Sequence, residues 1–354
     1  MFDNIEIYAG ENAAEIINDS GLNEEMIAGI AGASGGPKFL ALAGFDNVLL
    51  NSWFKKRKET LYFLGSSIGS WRGAAYACEK PAEAHGRLVE SYLSQHYDSK
   101  PTEKDVTDES LRILDEYLSA EDIDYILNRS SVHLGIISAR CTGLSAMRGK
   151  TALAASFIPS ALLNIASRKI LLKIFTRTLF YTERSVPPFA FNFGDEFRIP
   201  LSEKNFRQAI LSSGSIPFAM EGIRDIDGAP SGTYRDGGIT DYHLNLDYGI
   251  KQGIVLYPHF SCRIVPGWLD KSIKWRKHDP GLLKNVVLVA PSEKFLKSLP
   301  YGKIPDRTDF VTFAGRDRER LTYWHEVIDK SRLLGEEFME AVNSAKLGNI
   351  IKKL

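Results

Sequence analysis

Apolar residues along this chain fall into short unbroken runs separated by longer amphipathic stretches. The runs at 27–32, 61–64, 132–138, 189–193, 254–257 and 286–289 are the texture of strands buried on both faces. Between most of them apolar positions recur at helical spacing, which predicts helices over 73–95 (with a kink at Pro81), 108–118, 160–173 and 206–211. Strands alternating with helices predict a three-layer α/β/α fold, a mostly parallel sheet covered on both faces. The Asp-Glu-Phe-Arg sequence at 195–198 reads as a hairpin turn. After Pro266 the texture changes to loops rich in Lys, Pro and Asp. A long amphipathic helix over 317–345 follows, apolar at Leu321, Trp324, Val327, Leu333 and Phe338. No repeat, low-complexity tract or Pro/Ser-rich linker interrupts the chain. The expected organisation is one domain over 1–265 with a C-terminal helical extension, 266–354, packed on its core.

Composition narrows the field. At 354 residues, 44% hydrophobic and 25% charged, the chain has ample material for a core. The 44 basic residues balance the 44 acidic ones, so nucleic acid is not an expected partner. Cys78, Cys141 and Cys262 are far apart and odd in number, with neither disulfide nor metal spacing. No apolar run is long enough to span a bilayer, and residues 1–7 have no basic-then-apolar leader pattern, which sets the expectation of a cytoplasmic protein.

Charge is uneven locally. Residues 125–182 contain no Asp or Glu but carry Arg129, Arg140, Arg148, Lys150, Arg168, Lys169, Lys173 and Arg177, whereas 103–124 is rich in acids. One reading pairs the two blocks across the fold. The other concerns 160–181, an apolar helical stretch with four cations, which suits peripheral contact with an anionic membrane surface or a cap over a site.

Three motifs carry chemistry. The strand-like Thr60–Leu64 runs into Gly65-Ser-Ser-Ile-Gly69, a G-x-S-x-G pattern that puts Ser67 on a sharp strand-to-helix turn. Gly65 and Gly69 are needed there because side chains would collide with neighbouring backbone. Earlier, Gly32-Ala-Ser-Gly-Gly-Pro-Lys-Phe39 makes a glycine-rich loop between strand and helix, a layout that aims backbone amides at an anion. A phosphate-binding P-loop fits poorly, since Pro37 precedes Lys38 and Phe39 follows it. Later, Tyr234-Arg-Asp-Gly-Gly-Ile239 supplies a carboxylate in a turn, after the small-residue stretch Ala209-Ile-Leu-Ser-Ser-Gly-Ser-Ile-Pro-Phe218. Taken singly, the last two also read as plain turns.

In their order, glycine loop, serine elbow, small-residue/Pro stretch and Asp-Gly-Gly, these motifs resemble the patatin-like phospholipase family over about 26–239. Ser34 and Phe39 stand where the family usually has glycines, and Ser66 where threonine is common. The resemblance implies a Ser67–Asp236 dyad, with Gly65, Gly69, Gly237 and Gly238 shaping its two turns. The alternative is a Ser-Asp-His triad, for which His243 is the candidate; His259 suits a buried structural role, and His278 and His325 a solvated one. The expected chemistry is acyl transfer with the oxyanion held by the amides of Gly35, Gly36 and Ile68. The substrate class implied is phospholipid, lysophospholipid or another acyl ester, with no cofactor and no metal, calcium included. A carboxylic ester hydrolase on short soluble esters or thioesters, and a non-catalytic lipid-binding member of the fold, are the rival readings.

Overall fold

A computed structural model describes residues 2–97, 100–147, 149–184, 188–190, 196–344 and 347–354. Among the described residues eleven strands form one sheet: β1 (Ile5–Ala9), β2 (Ile27–Gly32), β3 (Leu61–Ser66), β4 (Val132–Cys141), β5 (Phe175–Tyr181), β6 (Glu196–Pro200), β7 (Ile223–Arg224), β8 (Thr233–Asp236), β9 (Ile254–Pro258), β10 (Val286–Pro291) and β11 (Lys352–Lys353). Along the sheet the order is β11-β1-β10-β9-β2-β3-β4-β5-β6, with β8 also paired to β4 and β7 to β8. The central run β10-β9-β2-β3-β4 is parallel throughout. Antiparallel neighbours close it, β1 on β10 at one side and β5 on β4 at the other.

The pleat sorts each central strand between two cores. Ile30, Phe63, Leu256 and Val287 face a large core built with Ala74, Leu88, Ile113, Trp324 and Phe338 from the helices Ile68–Ala77, Pro81–Leu93, Glu103–Tyr117 and Asp317–Val342. Their neighbours Ala31, Leu64, Tyr257 and Leu288 face a second core with Leu244, Tyr248 and Phe260. Helix Lys150–Ala166 adds a third cluster, where Leu153 and Phe157 pack on Cys141, Phe175 and Ile239. The result is the expected mostly parallel central sheet with flanking helices. The chain beyond 266 takes part in that sheet, because β10 lies between β1 and β9.

Several local expectations change. The helix expected over 73–95 is two helices, with Pro81 at the first position of the second, where its missing N–H costs nothing. The stretch 160–181 is not one helix: it breaks at Ser167, and residues 175–181 become the buried strand β5. β-Branched and aromatic residues (Phe175, Thr176, Thr178, Phe180) favour that outcome once β4 offers an edge. Residues 196–198 begin β6 instead of a turn, while 195 lies outside the described residues. Of 189–193, Ala190 makes a single bridge to Asp247, and 191–193 lie outside the described residues. The acidic and basic blocks pair with each other through Arg129–Asp124. Arg168 and Arg177 reach Asp270 and Asp241 instead, far along the chain.

Candidate active site

The sheet register brings the serine and the aspartate together. β3 pairs with β4 up to Ser66 opposite Ile137, and there the chain leaves the sheet at Ser67. β8 takes the vacated place on the same edge of β4, antiparallel, with Asp236 opposite Ser138. The residue after the end of β3 and the last residue of β8 therefore meet. Ser67 Oγ donates to Asp236 Oδ2 at 2.7 Å.

The elbow has the conformation its glycines imply. Ser67 sits at φ 55° and ψ −131°, and helix Ile68–Ala77 starts immediately after it. A Cβ on Gly69 would stand 1.9 Å from Gly32 O, and one on Gly65 2.4 Å from Ser70 N. Only bare backbone passes here. The Asp turn is equally tight. A Cβ on Gly237 would be 2.2 Å from Ile137 O, and one on Gly238 2.7 Å from Ser34 Oγ. Gly238 N donates to Asp236 Oδ1 at 2.7 Å, so both carboxylate oxygens are held.

Ser213, whose role the sequence did not reveal, ties the parts together. Its Oγ accepts from Ser67 N at 2.9 Å, donates to Ile137 O at 2.6 Å and lies 2.8 Å from Ser70 Oγ. Asp236 N and Gly237 N donate to the carbonyls of Ser215 and Ser213. The stretch 209–218 thus anchors both turns through its serines, and hydroxyls among small residues were the available signal.

The glycine loop lies across from Ser67. Gly36, at φ 57°, opens a 3-10 turn over Gly36–Leu42. Gly36 and Ile68 each stand first in their helical segment, a position whose amide has no acceptor within its own helix. Ser34, one of the departures from the family pattern, donates through Oγ to Ser66 Oγ at 3.0 Å and through N to Tyr242 O at 2.9 Å. The other departure, Phe39, is buried in the core. Ser34, Gly35, Gly36, Ser67, Asp236, Ile216 and Pro217 line a cleft of about 280 Å³, whose far wall is Tyr242, Trp268 and Lys271.

Electrostatics suit a proton acceptor. Burial raises the Asp236 carboxyl above the ordinary aspartate range, opposed by its hydrogen bonds from Ser67 and Gly238. His243 is elsewhere: its Nδ1 accepts from Val265 N at 3.0 Å, its ring stacks on Tyr242, and burial pushes its pKa well down. His259 is likewise buried and accepts from Ser261 N. His325 is exposed, and His278, expected in solvent, is half-buried. Behind the Asp turn, Arg177 makes a bidentate pair with buried Asp241, and Arg168 and Arg276 flank buried Asp270. These pairs fasten helix Arg168–Ile174 and the 268–276 loop to the site.

Compared with known proteins, the chain matches the model for patatin-like phospholipases over residues 32–244. No curated protein matches it. Among solved structures it is similar to VipD from Legionella pneumophila, at 11% identity over 93% of this chain and 70% of that one, with a TM-score of 0.32. The family match takes in the glycine loop, the elbow and the Asp turn, and covers more than half of the chain. The chain belongs to the patatin-like phospholipase family.

Proposed function

We propose that the protein is a serine hydrolase that cleaves fatty-acyl esters of phospholipids or lysophospholipids through Ser67 and Asp236. The observation carrying this reading is the 2.7 Å hydrogen bond from Ser67 Oγ to a buried carboxylate at the mouth of a cleft. Family membership supports lipid acyl hydrolysis in general.

In this reading Ser67 Oγ attacks the ester carbonyl as its proton passes to Asp236. The new oxyanion faces the amides of Gly35, Gly36 and Ile68, each such donor being worth about 3 kcal/mol in the transition state. Asp236 returns the proton to the departing alkoxide, leaving an acyl-Ser67. Water then attacks, gives a proton to Asp236, and releases the fatty acid as Ser67 is reprotonated. A carboxylate is a weak base for serine, and a buried, raised one serves better.

The substrate is met at a surface. Helix Lys150–Ala166 exposes Ile158, Leu162, Leu163 and Ile165, Ile170 follows on the next helix, and Trp275 is 71% exposed. Arg276 donates to the carbonyls of Asn164 and Ile165, so Trp275 is carried beside this helix. Phe157 of the same helix packs edge-on against Trp268 in the cleft wall. An apolar face flanked by Lys150, Lys169 and Lys173 fits peripheral contact with an anionic membrane, with the cleft nearby. This exposure favours a lipid surface over short soluble esters as the working substrate.

The test is fatty-acid release from phospholipid vesicles, with calcium and with chelator, by wild type, Ser67→Ala and Asp236→Asn. Rates should fall by at least about a thousandfold in both variants, and calcium should change nothing. Activity surviving Ser67→Ala, or a strict calcium requirement, would sink the reading. Failure of a fluorophosphonate to label Ser67 would favour a non-catalytic lipid-binding role.

A further inference from the structure

Three cations stand around the cleft. Lys38 comes from the glycine loop, Lys271 from the turn after Trp268–Asp270, and Arg307 from the loop before Asp309–Thr312; all three line the cleft with Ser67. Among the described residues, none of their charged heads makes a hydrogen bond or ion pair. Lys38 Nζ lies 4.9 Å from the Phe260 ring centroid and Lys271 Nζ 4.0 Å from that of Tyr242. The stem of Arg307 lies over the glycine loop, where a Cβ on Gly36 would stand 3.4 Å from its Cγ.

Two carboxylates share the cleft, and both are engaged. Asp236 holds Ser67 and Gly238, and Asp306 accepts from Thr308 and from Lys303. Three like charges gathered at one cleft repel one another, and the more distant attraction of Asp236 and Asp306 opposes that repulsion. Loss of hydration, then repulsion by Lys38 and Arg307, lowers Lys271 to about 8 against the attraction of Asp236.

The supports of this collar are firm. Buried Asp270 receives Asn164, Arg168 and Arg276 and so fixes the turn that carries Lys271. Buried Asp309 accepts from Asp306 N at 2.9 Å and from Trp324 Nε1 at 3.0 Å, which ties the Arg307 loop to the long helix Asp317–Val342. Lys38 lies within the residues that match the family, whereas Lys271 and Arg307 lie beyond them, in the C-terminal part of the chain.

We propose that Lys38, Lys271 and Arg307 select substrates whose phosphate carries no cation of its own, so that glycerophospholipids and lysophospholipids with a net anionic head group are preferred over choline lipids. This rests on the hydrolase reading above. In such lipids only a few bonds separate phosphate from acyl ester, so a carbonyl at Ser67 leaves the phosphate at the collar. A choline group would bring a fourth positive charge to the same place.

Selection is read without turnover, by calorimetric titration of Ser67→Ala with short-chain lysophosphatidic acid and with lysophosphatidylcholine. Ser67→Gly serves as a second serine-free background, because glycine accepts the elbow's φ of 55°. The acid should bind at least about tenfold more tightly, as expected for charge-assisted contacts to phosphate. Adding Lys271→Gln with Arg307→Gln should bring the ratio close to unity, and Lys271→Arg with Arg307→Lys should restore it. Equal affinities, no binding of either lipid, or a ratio unmoved by the double substitution would overturn the proposal. Absence of fatty-acid release by the wild type would fail the hydrolase reading instead, and the binding ratio is independent of it.

Discussion

Asp236 lies in a place that disfavours its charge, and two outcomes follow at the residue scale. Its pKa is raised by burial, and in the proposed mechanism it must be ionised to take the serine proton. The rate should therefore fall on acidification through a pKa above the ordinary aspartate value, read as the acid limb of kcat/KM against pH. An acid limb at the ordinary value would mean that this carboxylate is not the base. Stability follows the same shift. A folded-state pKa above the unfolded one gives stability that is complete below the unfolded value and lost as pH rises through the folded value. Once ionised, the group thus weighs against the fold. Asp236→Asn should melt at a higher temperature than wild type at pH 7, with the advantage closing as pH falls. A lower melting temperature at pH 7 would make Asp236 a structural anchor. Ser213 belongs to this scale too: a serine in a run of small residues looks ordinary until its three partners converge on it.

Among elements, helix Ile68–Ala77 and β2 come very close at Gly69 and Gly32. Gly69→Ala would drive a methyl to 1.9 Å from a backbone oxygen, and neither strand nor helix can yield. The expected loss is about 3 kcal/mol or more, measured from urea midpoints. Gly86, inside helix Pro81–Leu93, is the contrast: nothing lies within 4 Å of an added Cβ there. Gly86→Ala should stabilise by about 0.5–1 kcal/mol through helix propensity and unfolded-state entropy. Equal effects at the two glycines would contradict the elbow packing. The helix Lys150–Ala166 and strand β5 show the limit of periodicity. A continuous apolar stretch with scattered cations reads as one helix, and only the open edge of β4 turns its second half into a strand.

For the whole molecule, a net charge of zero gives no steering towards a membrane, so the proposed docking rests on a local face. No described helix is long and apolar enough to cross a bilayer. Ile158→Ser, Leu162→Ser and Trp275→Ala together should lower partition onto anionic vesicles by at least about tenfold, given roughly 1.5–3 kcal/mol per fully buried large apolar side chain. Vesicle sedimentation checks this, and an unchanged partition would remove the face from the function. By itself the sequence determined the central strands, the elbow at Ser67, the glycine loop and the Asp-Gly-Gly turn, because each is local: an apolar run, or glycines that allow a sharp bend. It could not place β8 in the gap that β3 leaves on β4, nor set Asp241 and Asp270 against Arg177 and Arg168, nor bring Lys271 and Arg307 beside Ser67. Those juxtapositions join residues that are distant along the chain. No local pattern encodes such pairs, and they exist only once the sheet order and the packing of the C-terminal part have fixed which edges and loops share one space.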